Sequence, residues 1–376
     1  MKRFLSVFIA IILILCAFSA CGKGESPIDT DKQTDEIDES DVNDDEGGYN
    51  GGSIDNGSES DNNNGNIDNE SESDNNNGNT EDETENGNNN ENTDGGNEGG
   101  NSGDSVDGGD GTVPYVREGN YIYFGEYPQS IKASSVTITS TVDSRGYFLG
   151  SDNAYYAKVV ASPFDSAYKF SSNQTVTSGT EYYFKVEPIK WRIISENSGK
   201  AVLLCESIID SSCYDSTNNN YKDSDIRAWL NGTFYTKAFG ALEAALIHTV
   251  TVDNTLATTG HTENANVCAN TSDKVYLLSY KDVTNSAYGF SSNVNDVNLL
   301  RMKKTSDYAI ANGAYTSDSS QTAYKGNGIW MLRTPNDTYT HFIRECDHSG
   351  AVTDGGTNIT STFFGVVPAI TITLSA

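Results

Sequence analysis

The sequence predicts an α+β fold, a single antiparallel-sheet domain with two or three short helices, confined to residues 113–376. Three observations carry this. Over that stretch Tyr, Phe, Val and Ile appear in short alternating runs. Gly, Ser and Asn separate the runs and mark turns. The order is strands, then helices, then strands, which suits an antiparallel sheet with its helices set apart.

Taken in order, residues 121–125 form a first short strand, ended by a turn at Tyr127-Pro128, and residues 181–186 form a second. Residues 188–194 and 201–205 flank Asn197-Ser198-Gly199, a strong hairpin signal. Asp223 or Ser224 then caps a helical turn in which Ile226, Trp229 and Leu230 share a face. Ala238, Leu242, Ala245 and Leu246 continue at helical spacing, and a third short helix covers 307–312. Strands return at 275–279, 329–332, 342–346 and 363–373. Trp191 on its apolar strand and Trp229 on its helix face are the expected core tryptophans.

Charge divides the chain. The formal total is -29, but residues 22–112 hold 28 acidic and 2 basic side chains, against 25 and 20 in residues 113–376. The folded part is only mildly acidic, so charge gives no reason to expect nucleic-acid binding. Residues 21–112 form an acidic Asn/Asp/Gly tract, with Tyr49 the only aromatic. Such a stretch cannot bury enough apolar surface to offset its conformational entropy, so disorder is expected. Ser-Glu-Ser-Asp-Asn-Asn-Asn-Gly-Asn occurs at 58–66 and again at 71–79. With no apolar positions, the repeat reads as tract expansion and not as a solenoid. No calcium-loop pattern closes with a glutamate. A flexible coil of this length spans ~50 Å, and like-charge repulsion extends it. It reads as a tether.

The chain opens with Met-Lys-Arg and an apolar run over residues 4–18. That run is short of the roughly 20 residues a bilayer span needs and has the form of a secretory signal. Residues 1–20 are the expected signal peptide. Phe18-Ser19-Ala20-Cys21-Gly22 resembles the lipobox of bacterial lipoproteins, with Phe18 where leucine is usual. That resemblance implies cleavage before Cys21, lipidation of its sulfur and an extracytoplasmic, membrane-anchored address. More than one acyl chain makes such anchoring stable.

Six ordered motifs in the rest of the chain carry a second resemblance. They are Tyr121-Ile122-Tyr123-Phe124-Gly125-Glu126-Tyr127-Pro128-Gln129, Pro188-Ile189-Lys190-Trp191-Arg192-Ile193-Ile194, Ser224-Asp225-Ile226-Arg227-Ala228-Trp229-Leu230-Asn231, Asp273-Lys274-Val275-Tyr276-Leu277-Leu278-Ser279, Ile329-Trp330-Met331-Leu332-Arg333-Thr334-Pro335 and Val366-Val367-Pro368-Ala369. Together they resemble DUF6273, a domain of unknown function of Gram-positive surface proteins, over 115–376. Two departures stand out: Thr334 where the family usually has serine, and Val367 where it usually has arginine. The family is distantly similar to the C-type-lectin-like fold of formylglycine-generating enzymes. That likeness implies a ligand surface built from late strands and their loops.

The candidate ligand-binding residues follow from that placement: Trp330, Arg333, His341, Arg344, Asp347, His348 and Asp354, gathered round the Ser349-Gly350 turn. Arg333 has two readings, a ligand contact or a partner for core carbonyls and a carboxylate. His341, Cys346 and His348 have metal-ligand chemistry, but period-two alternation puts His341 and Cys346 on opposite faces, so no metal is expected. Cys205, Cys213, Cys268 and Cys346 could pair as two disulfides in three ways, or Cys205 could be a buried thiol. A formylglycine-type oxidase needs two cysteines close together near the C-terminus, and only Cys346 lies there. No phosphate loop, Gly-x-Ser-x-Gly or His-Glu-x-x-His occurs, and no cofactor is implied. The 21 tyrosines suit recognition of sugars or peptides, although strands favour aromatics in any case.

The expected function is a non-catalytic extracellular binding module for a glycan, wall polymer or protein. One rival is an enzyme on the lectin-like fold using Arg333, His341, Arg344, Asp347 and His348. The other is a structural wall protein.

Overall fold

The structure, a computed structural model, describes residues 114–353 and 358–374. Cys21, the signal segment and the tether lie outside the described residues, as does Asp354. Among the described residues no helix is long and apolar enough to cross a membrane.

The frame is a nine-stranded antiparallel sheet. β1 (Val116–Glu118) and β2 (Tyr121–Ile131) form its opening hairpin. β3 (Ile138–Val142), β4 (Phe148–Gly150) and β5 (Tyr155–Val160) follow as a meander. β6 (Glu181–Asn197) is the central strand and pairs with β2, β5 and β7 (Lys200–Cys205). Ser198 and Gly199, with φ of 52° and 73°, make the two-residue β6–β7 turn that the sequence announced.

Two expected boundaries move here. β2 does not stop at Tyr127-Pro128 but runs to Ile131, its register shifting on either side of the 126–128 stretch. The two expected strands at 181–186 and 188–194 are one. Pro188, which has no N–H for a ladder, is tolerated because it stands opposite Glu126 beside such a shift. The buried set steps from Tyr182, Phe184 and Val186 to Ile189 and Trp191 at this proline. A one-residue change of phase turns the opposite face inward. Phe184 accordingly joins a small cluster with Phe170 and Ile310, whereas Ile189 and Trp191 join the main core.

β8 (Ser207–Ile208) and β9 (Asp210–Ser211) lead to the helices. Ser224 caps α1 (Asp225–Trp229) by accepting the Arg227 N–H. A π-helical turn, Leu230–Phe234, joins α1 to α2 (Tyr235–Ala238). Ile226, Leu230, Phe234 and Ala238 are buried at steps of four. An α-helix repeats every 3.6 residues or so, and the wider turn keeps this stripe on one face. Trp229 lies beside the stripe, half-buried, its ring 5.4 Å from Phe234. It is a flank of the core and not the core residue expected. Phe239 turns extended, so α3 (Ala241–Leu246) starts afresh and leaves Leu242 56% exposed. The apolar face expected there does not form.

β10 (Val250–Val252) pairs with β11 (Thr271–Asp273), and β12 (Val275–Tyr276) lies at one edge of the large sheet. Asn231 covers that edge: its Oδ1 accepts from Lys274 N at 2.9 Å, and its Nδ2 donates to Val275 O at 2.8 Å. The strand expected over 275–279 ends early because Ser279 and Asp282 form a capping box for α4 (Tyr280–Val283). β13 (Lys304–Thr305) runs parallel to β8, and α5 (Asp307–Ala311) stands where expected.

β14 (Trp330–Pro335), β15 (Ile343–Cys346), β16 (Val352–Thr353) and β17 (Gly365–Val366) join β9 in a second sheet of five strands. β18 (Ala369–Thr373) returns to the large sheet between β7 and β12. The single strand expected over 363–373 is therefore divided at Val367-Pro368, where the chain passes from one sheet to the other. The architecture is mixed, with a mostly antiparallel sheet and few short helices.

Trp191 is wholly enclosed, and its indole donates to Phe124 O at 2.8 Å. Trp191→Ala is expected to lower stability by ~3–5 kcal/mol, measured by denaturant unfolding; a change under about 1 kcal/mol would refute the placement.

Asp210 is a buried carboxyl that accepts from Tyr127 Oη (2.7 Å), Asn312 Nδ2 (2.9 Å) and Ser211 N (2.8 Å). Burial pushes its pKa up to about 6. The folded chain therefore keeps a proton that the unfolded chain releases. The contribution of Asp210 to stability falls as pH rises from about 4 to about 6, by about 3 kcal/mol, and is level above that. Melting curves of Asp210→Asn should lack that slope, and an unchanged slope would assign it to another group.

Candidate functional site

Among the described residues, the candidates Trp330, Arg333, His341, Arg344, Asp347 and His348 do not form one cluster. Trp330 and Arg333 lie inside the molecule on β14. Trp330 is fully enclosed and donates its indole N–H to Arg301 O at 2.8 Å. Arg333 donates to Leu277 O (2.7 Å) and Asp282 Oδ2 (2.8 Å). Of the two readings of Arg333, this is the second: it satisfies a core carbonyl and a carboxylate. His341 is exposed and packs on Phe342, with ring centres 4.2 Å apart.

Arg344, on β15, is 7% exposed, and its guanidinium lies 4.2 Å over the Tyr280 ring. Its Nη2 stands 2.8 Å from His261 Nε2, and His261 Nδ1 stands 3.1 Å from Asp337 Oδ2. A guanidinium only donates, so Nε2 accepts and Nδ1 carries the proton towards Asp337. That lone pair is then engaged, which leaves His261 poorly placed as a general base. Arg344 and Tyr280 border a cleft of about 370 Å³, with Val294, Asn295 and Val352 on its other sides.

The wall of this cleft depends on a residue that sequence reasoning missed. Arg301 is fully buried, and its partners are all backbone carbonyls. Nε donates to Gly350 O, Nη1 to Val283 O (3.2 Å) and Ser291 O (3.0 Å), and Nη2 to Asn293 O and Asp296 O (both 2.9 Å). The 291–296 loop is thereby clasped, and Val294 O receives Val352 N at 2.8 Å. No local motif marks Arg301; it was one arginine in a polar loop.

The Asp347–Gly350 turn is built by its own aspartate. Asp347 Oδ1 accepts from Ser349 N (2.8 Å), Ser349 Oγ (2.7 Å) and Ala351 N (3.0 Å). Gly350 has φ +81°, and a Cβ there would meet Asn298 O at 2.5 Å, so no other residue fits. The turn presents His348, half-buried, between Tyr315 (ring centres 6.1 Å) and Tyr324 (6.0 Å). Tyr315 in turn meets Phe164 at 6.1 Å, and Phe164 meets Phe363 at 5.1 Å. Phe164 is 54% exposed. Five rings from four loops thus make a continuous row in which Phe164 is exposed and the other four are half-buried.

Residues 198–374 match the model of DUF6273, a domain of unknown function. The match covers four of the six motifs, and those at 121–129 and 188–194 precede it. The matched segment holds the whole five-stranded sheet, Arg301, the Arg344 cleft and four rings of the row; Phe164 stands outside it. No curated protein and no solved structure matches the chain.

Other reactive groups are dispersed. Cys205, Cys213, Cys268 and Cys346 are separate thiols, and burial raises the Cys205 thiol to about 11. Among the described residues no three His, Cys, Asp or Glu side chains gather as metal ligands do.

Arg301→Lys keeps the charge but has three donors for five carbonyls. It is expected to destabilise the fold by about 3 kcal/mol in denaturant unfolding. Wild-type stability in this variant would show that the clasp is dispensable.

Proposed function

We propose that the chain is a non-catalytic extracellular binding module, lipid-anchored through Cys21 and held away from the membrane by its acidic tether. The single observation that carries the reading is the row of rings through His348. Phe164 is exposed and the other four rings are only partly buried, and rings left partly in water with polar tips beside them suit recognition as well as packing. Loops mounted on a rigid sheet are also where binding residues gather. The signal-like start, the lipobox resemblance and the tether composition support the extracytoplasmic address. The C-type-lectin-like character belongs to the same proposal, supported by the late strands that gather in one small sheet around Trp330. A glycan, a wall polymer or a surface protein is the class of partner such a module meets.

The test combines location and binding. Cys21→Ala should move the protein from the detergent phase to the aqueous phase in a partitioning assay while its melting temperature stays the same. Unchanged partitioning would remove the anchor from the proposal. The purified full chain should also bind members of an array of glycans, wall polymers and surface proteins, and an array with no specific binding would end the module reading.

A further inference from the structure

We infer that the ligand of this module is a chain of neutral or N-acetylated hexopyranoses, which lies along the row Phe363–Phe164–Tyr315–His348–Tyr324. This rests on the binding-module reading and narrows it to one chemistry and one surface. The rings come from four different loops, so the row is an assembly of the fold and not an accident of one apolar run. Phe164 also touches Tyr168 at 6.4 Å, which widens the platform at that end.

The polar tips fit the same ligand. Among the described residues the Tyr315 and Tyr324 hydroxyls and the His348 ring nitrogens have no intramolecular hydrogen bond. Pyranose rings offer apolar C–H faces bordered by hydroxyls, which pair with ring faces and with such tips respectively. Each ring is already braced by its neighbours, so little freedom is lost when a ligand is bound.

Charge argues against a polyanion. Asp165 and Asp318 stand near Tyr168, and Asp347 precedes His348. Lys304 and Lys325 lie at the Tyr324 end, the ammonium of Lys304 donating to Lys325 O. Carboxylates and ammonium groups nearly balance, so the surface has no cationic field to select a phosphate polymer. The sequence pointed to His348 but not to Phe164, which stands far from it in the chain.

The experiment titrates the purified full chain, by calorimetry, with chitohexaose, cellohexaose and poly(glycerol phosphate). At least one of the two neutral oligosaccharides should bind, and poly(glycerol phosphate) should not. Phe164→Ala and Tyr324→Ala should each weaken that binding about ten-fold, whereas Tyr324→Phe, which keeps the ring face, should weaken it less. Melting temperatures monitor folding, and the exposed Phe164 makes the first variant the safer probe. Binding of poly(glycerol phosphate) alone, or oligosaccharide binding that Phe164→Ala leaves unchanged, overturns the inference while the module reading stands. Failure of both oligosaccharides overturns it as well; silence of the whole glycan, polymer and protein array overturns the module reading itself.

Discussion

The buried guanidinium of Arg301 is the constraint around which the C-terminal half is arranged. Long loops carry carbonyls that no strand partner covers, and such groups are costly when shut away from water. Arg301 answers five of them with one planar fork. A buried charge is tolerable here because every donor has an acceptor. Trp330 fastens the arrangement from below by donating to the Arg301 carbonyl. The cleft wall and the pairing of β16 against the 294 carbonyl follow from that clasp, which also engages the Gly350 carbonyl of the turn that Asp347 builds.

Asparagines extend the same logic. Asn219 donates to the carbonyls of Tyr339 and Phe342, Asn264 to that of Pro335, Asn266 to that of Asn336, and Asn327 to those of Ala323 and His348. In the sequence these residues read as turn punctuation, which is true and incomplete. Each supplies the donor that a missing strand would have supplied. The loops are fixed in place by side chains, which is why rings from distant segments can meet in a row.

Much of the fold was legible because it is local. The Ser198-Gly199 hairpin, the Ser224 cap, α5 and the strands at β14 and β15 are each written in a few adjacent residues. What was not legible depends on distant partners. Pro188 looked like a boundary because its tolerance depends on a register shift in β2, sixty residues earlier in the chain. Trp229 looked like core because helical phase ignores the π-turn that follows it. Of the candidate site, the Ser349-Gly350 turn was legible, whereas Asp347, expected at a ligand, holds that turn together. Arg344 could be named but not placed, since Tyr280 and His261, itself held by Asp337, reach it only through the fold. Polar residues close together in sequence are dispersed by the fold: Trp330, Arg333 and Arg344 are buried on β14 and β15, whereas His341, Asp347 and His348 lie in the loops beyond them.

The match to DUF6273 starts at residue 198, inside the β6–β7 turn. β7 lies inside the matched segment, but its ladder partner β6 does not, and Trp191 with Ile189 comes from β6. A chain cut at the matched boundary would keep the second sheet and the Arg301 clasp. It would also bare an apolar strand, Ala201 to Cys205, with a row of unpaired amides along it. Such an edge recruits any strand that comes near, including another copy of itself. The matched segment is thus smaller than the sheet it shares, and the missing margin is the β6 side of that sheet.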